Sequence, residues 1–367
     1  MKILITGGHL SPALAVIEEL GSRASVVFVG RKYALDQEKN FSLEYLEIKK
    51  RQIPFYHLQS GRLTRLLNLK SLLNLIKIPF GLYRAFKIFL KVKPDLVLSF
   101  GGYLGFPVCF AAFILKKPIF IHEQTIKPGL SNRLVGLMAK KIFLAFPEAK
   151  KYFTPAKVVL SGNPVRKNIF QVNKKPFDLK KNRPVIYIAG GSLGSHSINL
   201  LVAKILPKLL EKYIVIHQTG NVSKYNDFKT LSQIRDKLTN ELKKNYFLKT
   251  HFFTDELGYI YSICDLLVGR SGANTAFELL AAKIPAIFIP LPWSAGKEQL
   301  MHAQLFQKKG TAEILEQSQA AEKLLEIIAK VLSNLKYYKN NFKNLELLDR
   351  KNAAEIILQT ILSQHSS

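Results

Sequence analysis

The stretch CDLLVGRSGANTAFELLAAKIPAIFIPLP, residues 264–292, decides the fold. Its pattern predicts an apolar strand at Asp265–Val268, a glycine turn at Gly269–Ala273, a helix at Asn274–Ala282 and a second apolar strand at Ile284–Pro290. This order is typical of a β-α-β unit with a glycine-rich first turn. The backbone N–H groups of such a turn, together with the helix N-terminus, form a site for an anion or for the edge of a sugar.

Glu278 is the residue of this stretch that most clearly suggests chemistry. It lies on the first full turn of the predicted helix, and its neighbours Phe277, Leu279, Leu280 and Ala281 are all apolar. Ligands of open α/β sheets collect beside the carboxyl ends of the strands, where this turn lies. A solvated helix residue is the alternative, but an isolated acid between apolar neighbours favours a binding role.

Length and composition predict two globular domains. The chain of 367 residues exceeds one ordinary core, and a hydrophobic fraction of 48% suffices for two cores. No apolar run reaches about 18 uncharged residues, so we expect no membrane-spanning helix. The opening MKILITGG predicts a strand and a glycine turn rather than a signal peptide. Cys109 and Cys264 are expected to be buried thiols in a reducing cytoplasm.

The charge balance is strongly basic. The chain has 54 Lys and Arg residues against 26 Asp and Glu residues, a net charge of +28, which predicts attraction to nucleic acid, anionic lipid or phosphate-bearing ligands. A lysine-rich proteome is the alternative explanation.

The segment Arg62–Lys93 carries eight basic residues, no acid and many large apolar residues at roughly helical spacing. This pattern favours an anionic membrane surface, with a pair of core-facing helices as the alternative.

Strands that end in polar or glycine-rich turns recur along the first half. The strand Lys2–Thr6 leads into Gly7-Gly8-His9, and later strands lead into residues 101–103, 122–125 and 161–166. The carboxyl ends of parallel strands meet at one edge of a doubly wound sheet. His9 would lie there at a helix N-terminus, where the helix dipole favours the neutral imidazole that a general base requires. A capping or packed histidine is the alternative.

The second half restarts the same pattern. A strand is predicted at Val185–Ala189, followed by the turn GGSLGS at residues 190–195 and a helix at Ile198–Leu210. No acid ends the following strand, so a dinucleotide fingerprint is poorly supported, and a diphosphate on the helix N-terminus beside Ser192 is favoured. The lysine-rich segment Lys174–Arg183 is the predicted linker between the halves. The tail is predicted to form two helices, at about 320–334 and 336–363.

Two Rossmann-like halves with a ribose-type glutamate describe glycosyltransferases of the GT-B architecture, and within that class the chain resembles the MurG family. The resemblance rests on motifs that recur in family order over nearly the whole chain: TGGH (6–9), PALA (12–15), GGY (101–103), HEQ (122–124), GNPVR (162–166), GGSLGS (190–195) with Asn199, RSGA with Thr275 and Glu278, and Gln299.

The resemblance implies an α/β fold of two doubly wound domains that face each other across a cleft. Residues 1–168 would form the acceptor-binding and membrane-docking domain, residues 184–345 the domain that binds the UDP-sugar, and residues 346–367 a helix that packs back across the domains. The implied activity is transfer of N-acetylglucosamine from UDP-N-acetylglucosamine to the undecaprenyl-linked muramyl-pentapeptide in peptidoglycan synthesis. The implied location is peripheral, on the anionic cytoplasmic face of the membrane, with no nucleic-acid partner.

The resemblance also assigns residues to sites. Ser192 would contact the diphosphate, the backbone near Phe253 the uracil, Glu278 the ribose and Gln299 the sugar hydroxyls. His9 is the first candidate for the base that activates the acceptor hydroxyl, and Glu123 is the second. The implied donor-binding residues are Thr6, Gly7, Gly8, Thr125, Arg166, Ser192, Asn199, Phe253, Arg270, Ala273, Asn274, Thr275, Glu278 and Gln299. The implied acceptor-binding residues are Gly7, Gly8, Tyr103 and Asn132, and the implied membrane residues are Phe80, Tyr83, Phe86 and Phe113.

Three positions depart from the family pattern. The first glycine loop is shorter, Thr125 replaces the usual Asn after His-Glu-Gln, and Glu298 replaces a common second glutamine. The sequence has no Asp-x-Asp pair to bind a divalent ion, so we expect an inverting transferase that needs neither metal nor cofactor and neutralises the leaving diphosphate with helix N-termini and basic side chains. Alternatives are another GT-B enzyme, such as a glycolipid synthase or nucleotide-sugar epimerase, and a basic membrane-surface protein that has lost catalysis.

Overall fold

A computed structural model describes residues 1–33, 41–61, 69–191, 193–222, 224–349 and 352–364, without the side chains of residues 69–76 and 295. The chain divides into two compact units: a first unit of residues 1–166 with 350–367, and a second unit of residues 167–349. The predicted linker 174–183 therefore lies inside the second unit. Lys181 of this segment contacts the second unit: its Nζ atom lies 2.9 Å from Asp265 Oδ1 and donates to the carbonyl of Ile263.

The first unit contains a parallel sheet. Its seven strands, among the residues described, are β1 (Lys2–Gly7), β2 (Ser25–Gly30), β3 (Phe55–His57), β4 (Leu96–Phe100), β5 (Ile119–Glu123), β6 (Lys141–Leu144) and β7 (Val158–Leu160), in the order β3-β2-β1-β4-β5-β6-β7. The strand order reverses between β1 and β4, where Thr6 lies opposite Ser99. Such a switch point is where open α/β sheets bind ligands.

Helices cover the sheet of the first unit. They are α1 (Leu10–Leu20), α2 (Leu43–Lys50), α3 (Leu69–Val92), α4 (Gly105–Ile114), α5 (Leu130–Met138) and, from the end of the chain, α14 (Ala353–Ser363). Short 3-10 helices occupy Pro147–Tyr152 and Pro155–Lys157. The last helix contributes Ile357, Leu358 and Ile361 to the core cluster that contains Leu14 of α1.

The second unit repeats the arrangement. Its described strands are β8 (Val185–Ala189), β9 (Ile214–Gln218), β10 (Tyr246–Lys249), β11 (Leu266–Gly269), β12 (Ala286–Phe288) and β13 (Ala312–Ile314), all paired in parallel in the order β10-β9-β8-β11-β12-β13. Its helices are α6 (His196–Lys212), α7 (Asp227–Asp236), α8 (Asn240–Lys243), α9 (Thr254–Ile263), α10 (Ala273–Ala282), α11 (Glu298–Lys308), α12 (Ala321–Ser333) and α13 (Leu335–Asn340), with 3-10 helices at Lys167–Phe170, Ala295–Lys297 and Asn341–Leu345.

The β-α-β unit of residues 264–292 forms the centre of this second sheet. The prediction of strand, turn, helix and strand is confirmed as β11, α10 and β12, with boundaries that shift by one to two residues. The prediction of one long helix over residues 336–363 is wrong. The Nδ2 atoms of Asn341 and Asn344 donate to the carbonyls of Gly310 and Lys309, and these side-chain bonds accompany a 3-10 segment in place of α-helix.

Candidate active site

A cavity of about 510 Å³ opens at the carboxyl edge of the sheet in the second unit. The glycine turn after β8 and the first residues of α6 form one side of it. The turns after β11 and β12 contribute further residues. The lining consists of Gly190, Gly191, Leu193, Gly194, Ser195, His196, Ser197, Tyr225, Arg270, Gly272, Thr275, Leu291, Trp293, Gln299 and Gln317.

The turn between β8 and α6 requires glycine. Gly194 has a φ of +79°, and a Cβ atom there would lie 1.9 Å from the carbonyl oxygen of Thr219. A Cβ atom on Gly190 would lie 2.3 Å from the backbone nitrogen of Ser195. The tight turn leads directly into the first N–H groups of a 17-residue helix, which carry a partial positive charge. The cavity therefore has the local electrostatics of a diphosphate site.

Arg270 organises this edge of the cavity. Its Nη2 atom lies 2.7 Å from Ser195 Oγ, 2.9 Å from Ser197 Oγ and 2.7 Å from Gln317 Oε1, and Nη1 donates to the carbonyl of Ile289. Burial lowers the pKa of the guanidinium to about 10, so it stays charged at neutral pH. The side chain thus brings a positive charge to the cavity and fixes both serines at the start of α6.

Other predicted donor residues lie around the same sheet edge. Thr275 and Gln299 line the cavity, and Gln299 Oε1 accepts from the backbone N–H of Leu291 at 3.0 Å. Glu278 is buried and accepts a hydrogen bond of 2.8 Å from Tyr261 Oη. Ala273 and Asn274 begin α10, and Phe253, which is 45% exposed, precedes α9. Ser192 lies outside the described residues.

Asn199 is engaged within the protein. Its Nδ2 atom donates to the carbonyl of Thr219 at 3.0 Å and to Asp227 Oδ2 at 2.8 Å, and its Oδ1 atom lies 3.0 Å from His217 Nε2. Because both ends of the amide have buried protein partners, Asn199 supports the loops around the cavity. The donor-binding role predicted for Asn199 stays a prediction.

The carboxyl edge of the first sheet carries a buried carboxylate. Glu123 Oε1 accepts from the backbone N–H and the hydroxyl of Thr125, at 2.8 and 2.7 Å, and Oε2 accepts from Asn132 Nδ2 at 2.9 Å. Burial raises the pKa of this carboxyl, and the hydrogen bonds from Thr125 and Asn132 oppose the rise. Since both carboxylate oxygens already accept bonds, Glu123 holds the loop after β5 against α5.

His9 precedes α1 at the same edge of the first sheet. The ring is partly exposed by surface area, yet it is surrounded closely enough that desolvation lowers the pKa of the imidazole to about 4. Desolvation likewise lowers the pKa of His122 to about 4, and its Nε2 atom lies 3.1 Å from the carbonyl of Gly162. Both imidazoles are therefore neutral at physiological pH, as a general base must be.

Several buried polar atoms at this edge bond to no other described group. They are Thr6 Oγ1, His122 Nδ1, Gln124 Oε1 and Asn132 Oδ1. Each belongs to a residue that is at most 6% exposed. Unsatisfied buried polar atoms cost about 1–3 kcal/mol each, so a ligand or ordered water that bonds to them would stabilise the unit.

The two glycine turns of the first unit touch. A Cβ atom on Gly8 would lie 2.6 Å from Gly102 Cα, and Gly102 itself has a φ of +74°. Only glycine permits this approach, which brings the turns after β1 and β4 together. Tyr103 follows directly, and the Arg31 guanidinium lies 5.9 Å from the centre of its ring. Gly7, Gly8, Tyr103 and Asn132, the predicted acceptor residues, are thus gathered in one place.

The predicted membrane residues are mostly solvent-exposed. Phe80 and Tyr83 of α3 are 65% and 59% exposed, and Phe113 of the adjacent α4 is 52% exposed. Phe86 differs, because it is partly buried and packs against the core cluster of the first unit. In the described part of the chain, no helix combines the length and the apolar character needed to cross a bilayer.

Sequence analysis missed residues that the turns bring to these edges. Arg31 and Glu44 lie beside the first glycine turn, where Glu44 Oε2 accepts from the Arg31 backbone N–H at 3.0 Å and burial raises the pKa of the carboxyl to about 7. His196, Tyr225 and Gln317 line the cavity of the second unit. Of these residues, only His196 had a signal in the sequence, because it directly follows GGSLGS. The other missed residues reach these edges through tertiary structure.

Comparison with known proteins agrees with this architecture. The N-terminal domain of glycosyltransferase family 28 matches residues 6–144, and the C-terminal domain of the same family matches residues 185–358. The solved structure of Acinetobacter baumannii MurG is similar with a TM-score of 0.65 and 23% identity, over 99% of this chain and 100% of that chain. The UDP-GlcNAc 2-epimerase of Neisseria meningitidis, bound to UDP-GlcNAc, has a TM-score of 0.63 at 17% identity, over 99% and 100% of the two chains.

Sequence relatives favour the transferase over the epimerase, since two of them carry the transferase name. The UDP-N-acetylglucosamine--N-acetylmuramyl-(pentapeptide) pyrophosphoryl-undecaprenol N-acetylglucosamine transferase of Clostridium tetani is 32% identical over 94% of this chain and 93% of its own length. The enzyme of the same name from Clostridium botulinum (strain 657 / Type Ba4) is 33% identical over 97% and 98% of the two chains.

Two Rossmann-like units with polar turns at their sheet edges, matched over residues 6–144 and 185–358 by family 28 domains, define a glycosyltransferase of the GT-B architecture. Within that class the relatives fix the membership. The chain belongs to the MurG family.

Proposed function

We propose that the protein transfers N-acetylglucosamine from UDP-N-acetylglucosamine to the undecaprenyl-linked muramyl-pentapeptide, a step of peptidoglycan synthesis. The observation that carries this proposal is the near-full-length identity of 32–33% to transferases named for that reaction. The diphosphate-type cavity at the start of α6 supports it, because a nucleotide-sugar donor needs such a site.

The donor is proposed to bind in the second unit. The diphosphate would lie against the turn at residues 190–195 and the N-terminus of α6. Glu278 would bind the ribose hydroxyls and Gln299 the sugar hydroxyls, with uracil against the backbone near Phe253. The lining of the cavity by Gln299 and Thr275 supports this placement.

The proposed reaction is a direct displacement. The acceptor's sugar hydroxyl oxygen bonds to the anomeric carbon while the bond from that carbon to the UDP oxygen breaks, so the anomeric centre is inverted. The hydroxyl proton passes to His9, whose imidazole desolvation keeps neutral, so that it can accept the proton as the bond to UDP breaks. His9 is favoured over Glu123 because both oxygens of Glu123 are bonded to Thr125 and Asn132.

Charge on the departing UDP is proposed to be neutralised by protein groups. The first N–H groups of α6 and the Arg270 guanidinium supply positive charge at the cavity without a divalent ion.

The acceptor is lipid-linked, so the protein is proposed to work as a peripheral protein on the cytoplasmic face of the membrane. The exposed residues Phe80, Tyr83 and Phe113 would enter the headgroup layer. Lys77, Arg84 and Lys87, which are exposed on α3, would meet lipid phosphates.

One assay tests the activity. The protein is incubated with UDP-N-acetylglucosamine and a soluble acceptor analogue, with a metal chelator present, and UDP and the disaccharide are measured. We expect both products, with inverted anomeric configuration by NMR. A requirement for divalent metal would overturn the charge-neutralisation step, and a changed nucleotide sugar formed without acceptor would favour an epimerase.

A further inference from the structure

A histidine paired with a carboxylate lies at the wall of the donor cavity. His196 is the first residue of α6 and lines the cavity. Its Nδ1 atom lies 2.6 Å from Asp227 Oδ1. Its ring stacks on Tyr225, with ring centres 4.1 Å apart and planes inclined by 11°. The imidazole is thus fixed in orientation from two directions, although about a third of it is exposed.

The pair is supported by buried side chains. Asp227 Oδ2 accepts from Asn199 Nδ2 at 2.8 Å, and Asn199 Oδ1 lies 3.0 Å from His217 Nε2. His217 Nδ1 in turn lies 3.0 Å from Tyr246 Oη. Asn199 and His217 are at most 2% exposed. A chain of buried polar groups that ends at a cavity-facing histidine is the arrangement by which proteins hold a functional imidazole.

The hydrogen bond to Asp227 determines which atom is left for a ligand. The Asp227 carboxylate accepts the hydrogen on Nδ1, so Nε2 is the ring atom left for a ligand, and a hydrogen on Nε2 is donated to an anion. Within the described part of the chain, no group bonds to Nε2. The same ring lies where the helix N-terminus and Arg270 already collect positive charge.

We propose that His196 donates a hydrogen bond from Nε2 to the diphosphate of the bound UDP-sugar and stabilises the charge that develops when UDP departs. The electron pair of the breaking sugar–oxygen bond stays on the UDP oxygen, and the hydrogen on Nε2 stays on the ring. Asp227 is a positioning residue that orients the ring. This inference rests on the proposed function, since it deepens the donor site.

Calorimetric titration with UDP and with uridine tests the contact, because only UDP carries the diphosphate. The variant H196N keeps an amide N–H for Asp227 and removes Nε2. We expect it to bind UDP about 10- to 100-fold more weakly than wild type at about pH 7, with uridine affinity unchanged. The variant K208A, which removes an exposed cation near the other end of α6, is the matched control and should bind both as wild type does.

Two further variants separate charge from structure. H196R keeps a hydrogen-bond donor and a positive charge at this position and should retain the preference for UDP over uridine at about pH 7. D227N should lower UDP affinity at about pH 7 and leave uridine affinity unchanged, and it serves if H196N does not fold.

The outcomes distinguish the two levels of inference. Equal losses of UDP and uridine affinity in H196N would assign His196 to structure and overturn the inference. A wild-type protein that binds UDP, with no effect in H196N and D227N, would overturn it alone. A wild-type protein that does not bind UDP would overturn the proposed function as well.

Discussion

The carboxyl edges of the two sheets have the same fold, but their polar side chains differ in how completely they are hydrogen-bonded. In the second unit the polar side chains around the cavity bond to one another, as Arg270 does to Ser195, Ser197 and Gln317. In the first unit Thr6, His122, Gln124 and Asn132 each keep a buried polar atom without a partner among the described residues. The same fold therefore supports one edge whose hydrogen bonds are largely internal and one whose hydrogen bonds are incomplete.

This difference suggests how each edge meets its substrate. An edge whose side chains are fixed by internal bonds is preorganised, so it binds with little ordering cost. An edge with unsatisfied buried atoms gains more from each new hydrogen bond, because the cost of the unpaired atoms is removed. We therefore expect a preformed donor site and an acceptor site that is completed by its ligand.

The largest expected effect is that of acid on stability, and it concerns both units. His122 in the first unit has a pKa of about 4 and His217 in the second a pKa of about 3, both lowered from 6.5 by burial. The unfolded chain then binds more protons below pH 6.5 than the folded chain. Stability is present above that pH and is lost as the pH falls toward the folded values, at about 1.4 kcal/mol per pH unit for each imidazole.

Urea unfolding followed by circular dichroism at several pH values would measure this. The variant H217Q, which cannot gain the charge, should lose stability overall and show a shallower decline below pH 6.5. A decline as steep as that of wild type would show that His217 does not titrate on unfolding.

Replacement of His9 should have the next largest effect, and it sharpens the comparison because it should act on one edge only. His9→Ala should lower turnover by about 10²- to 10⁴-fold through loss of the base. UDP affinity should be unchanged, since His9 belongs to the first unit. Turnover is measured with the acceptor analogue and UDP binding by calorimetry. Equal losses in both would make His9 structural, and loss of turnover in Glu123→Gln alone would move the base there.

Glu278→Ala should give the corresponding effect on the donor side. The substitution removes acceptors for the ribose hydroxyls and also removes the hydrogen bond from Tyr261 Oη to Glu278. We expect UDP affinity to fall by about 1–3 kcal/mol. Tyr261→Phe is the control, because it removes the same internal bond and keeps the carboxylate. Calorimetry with UDP that gives the same value for wild type and Glu278→Ala would exclude Glu278 from the site.

The fold could be predicted from the sequence because its strands are continuous apolar runs and glycine turns mark where those strands end. The β-α-β unit of residues 264–292 illustrates this, since strand, turn and helix each follow local pattern. The tail was harder: its predicted single helix is α13, a 3-10 segment and α14, and Asn341 and Asn344 in the 3-10 segment bond to the distant residues Gly310 and Lys309. Spacing cannot reveal such contacts.

The roles of the site residues stay predictions, and the structure adds their contacts. Asn199 Nδ2 donates to Asp227, and Glu123 accepts from Thr125 and Asn132, which motifs alone could not reveal. The His196–Asp227 pair joins residues 31 apart in the sequence, so only the packing of α7 beside α6 brings it together.

The smallest expected effect per residue concerns the membrane, and it would extend the comparison to the outer surface of the first unit. Phe80, Tyr83 and Phe113 are exposed by more than half, so replacing them with Ser removes little packing. Phe86 is left intact because it contacts the core.

Each basic residue near an anionic surface contributes about 1 kcal/mol, and salt screens that attraction. Wild type should therefore bind anionic vesicles at low salt and dissociate as salt is added, and the triple variant should bind weakly at any salt with unchanged thermal unfolding. Leu347→Ser, which alters an 85% exposed residue of the second unit, should bind as wild type does. A folded triple variant that still binds vesicles would place the docking surface elsewhere, and one that melts early would show that these side chains stabilise the fold.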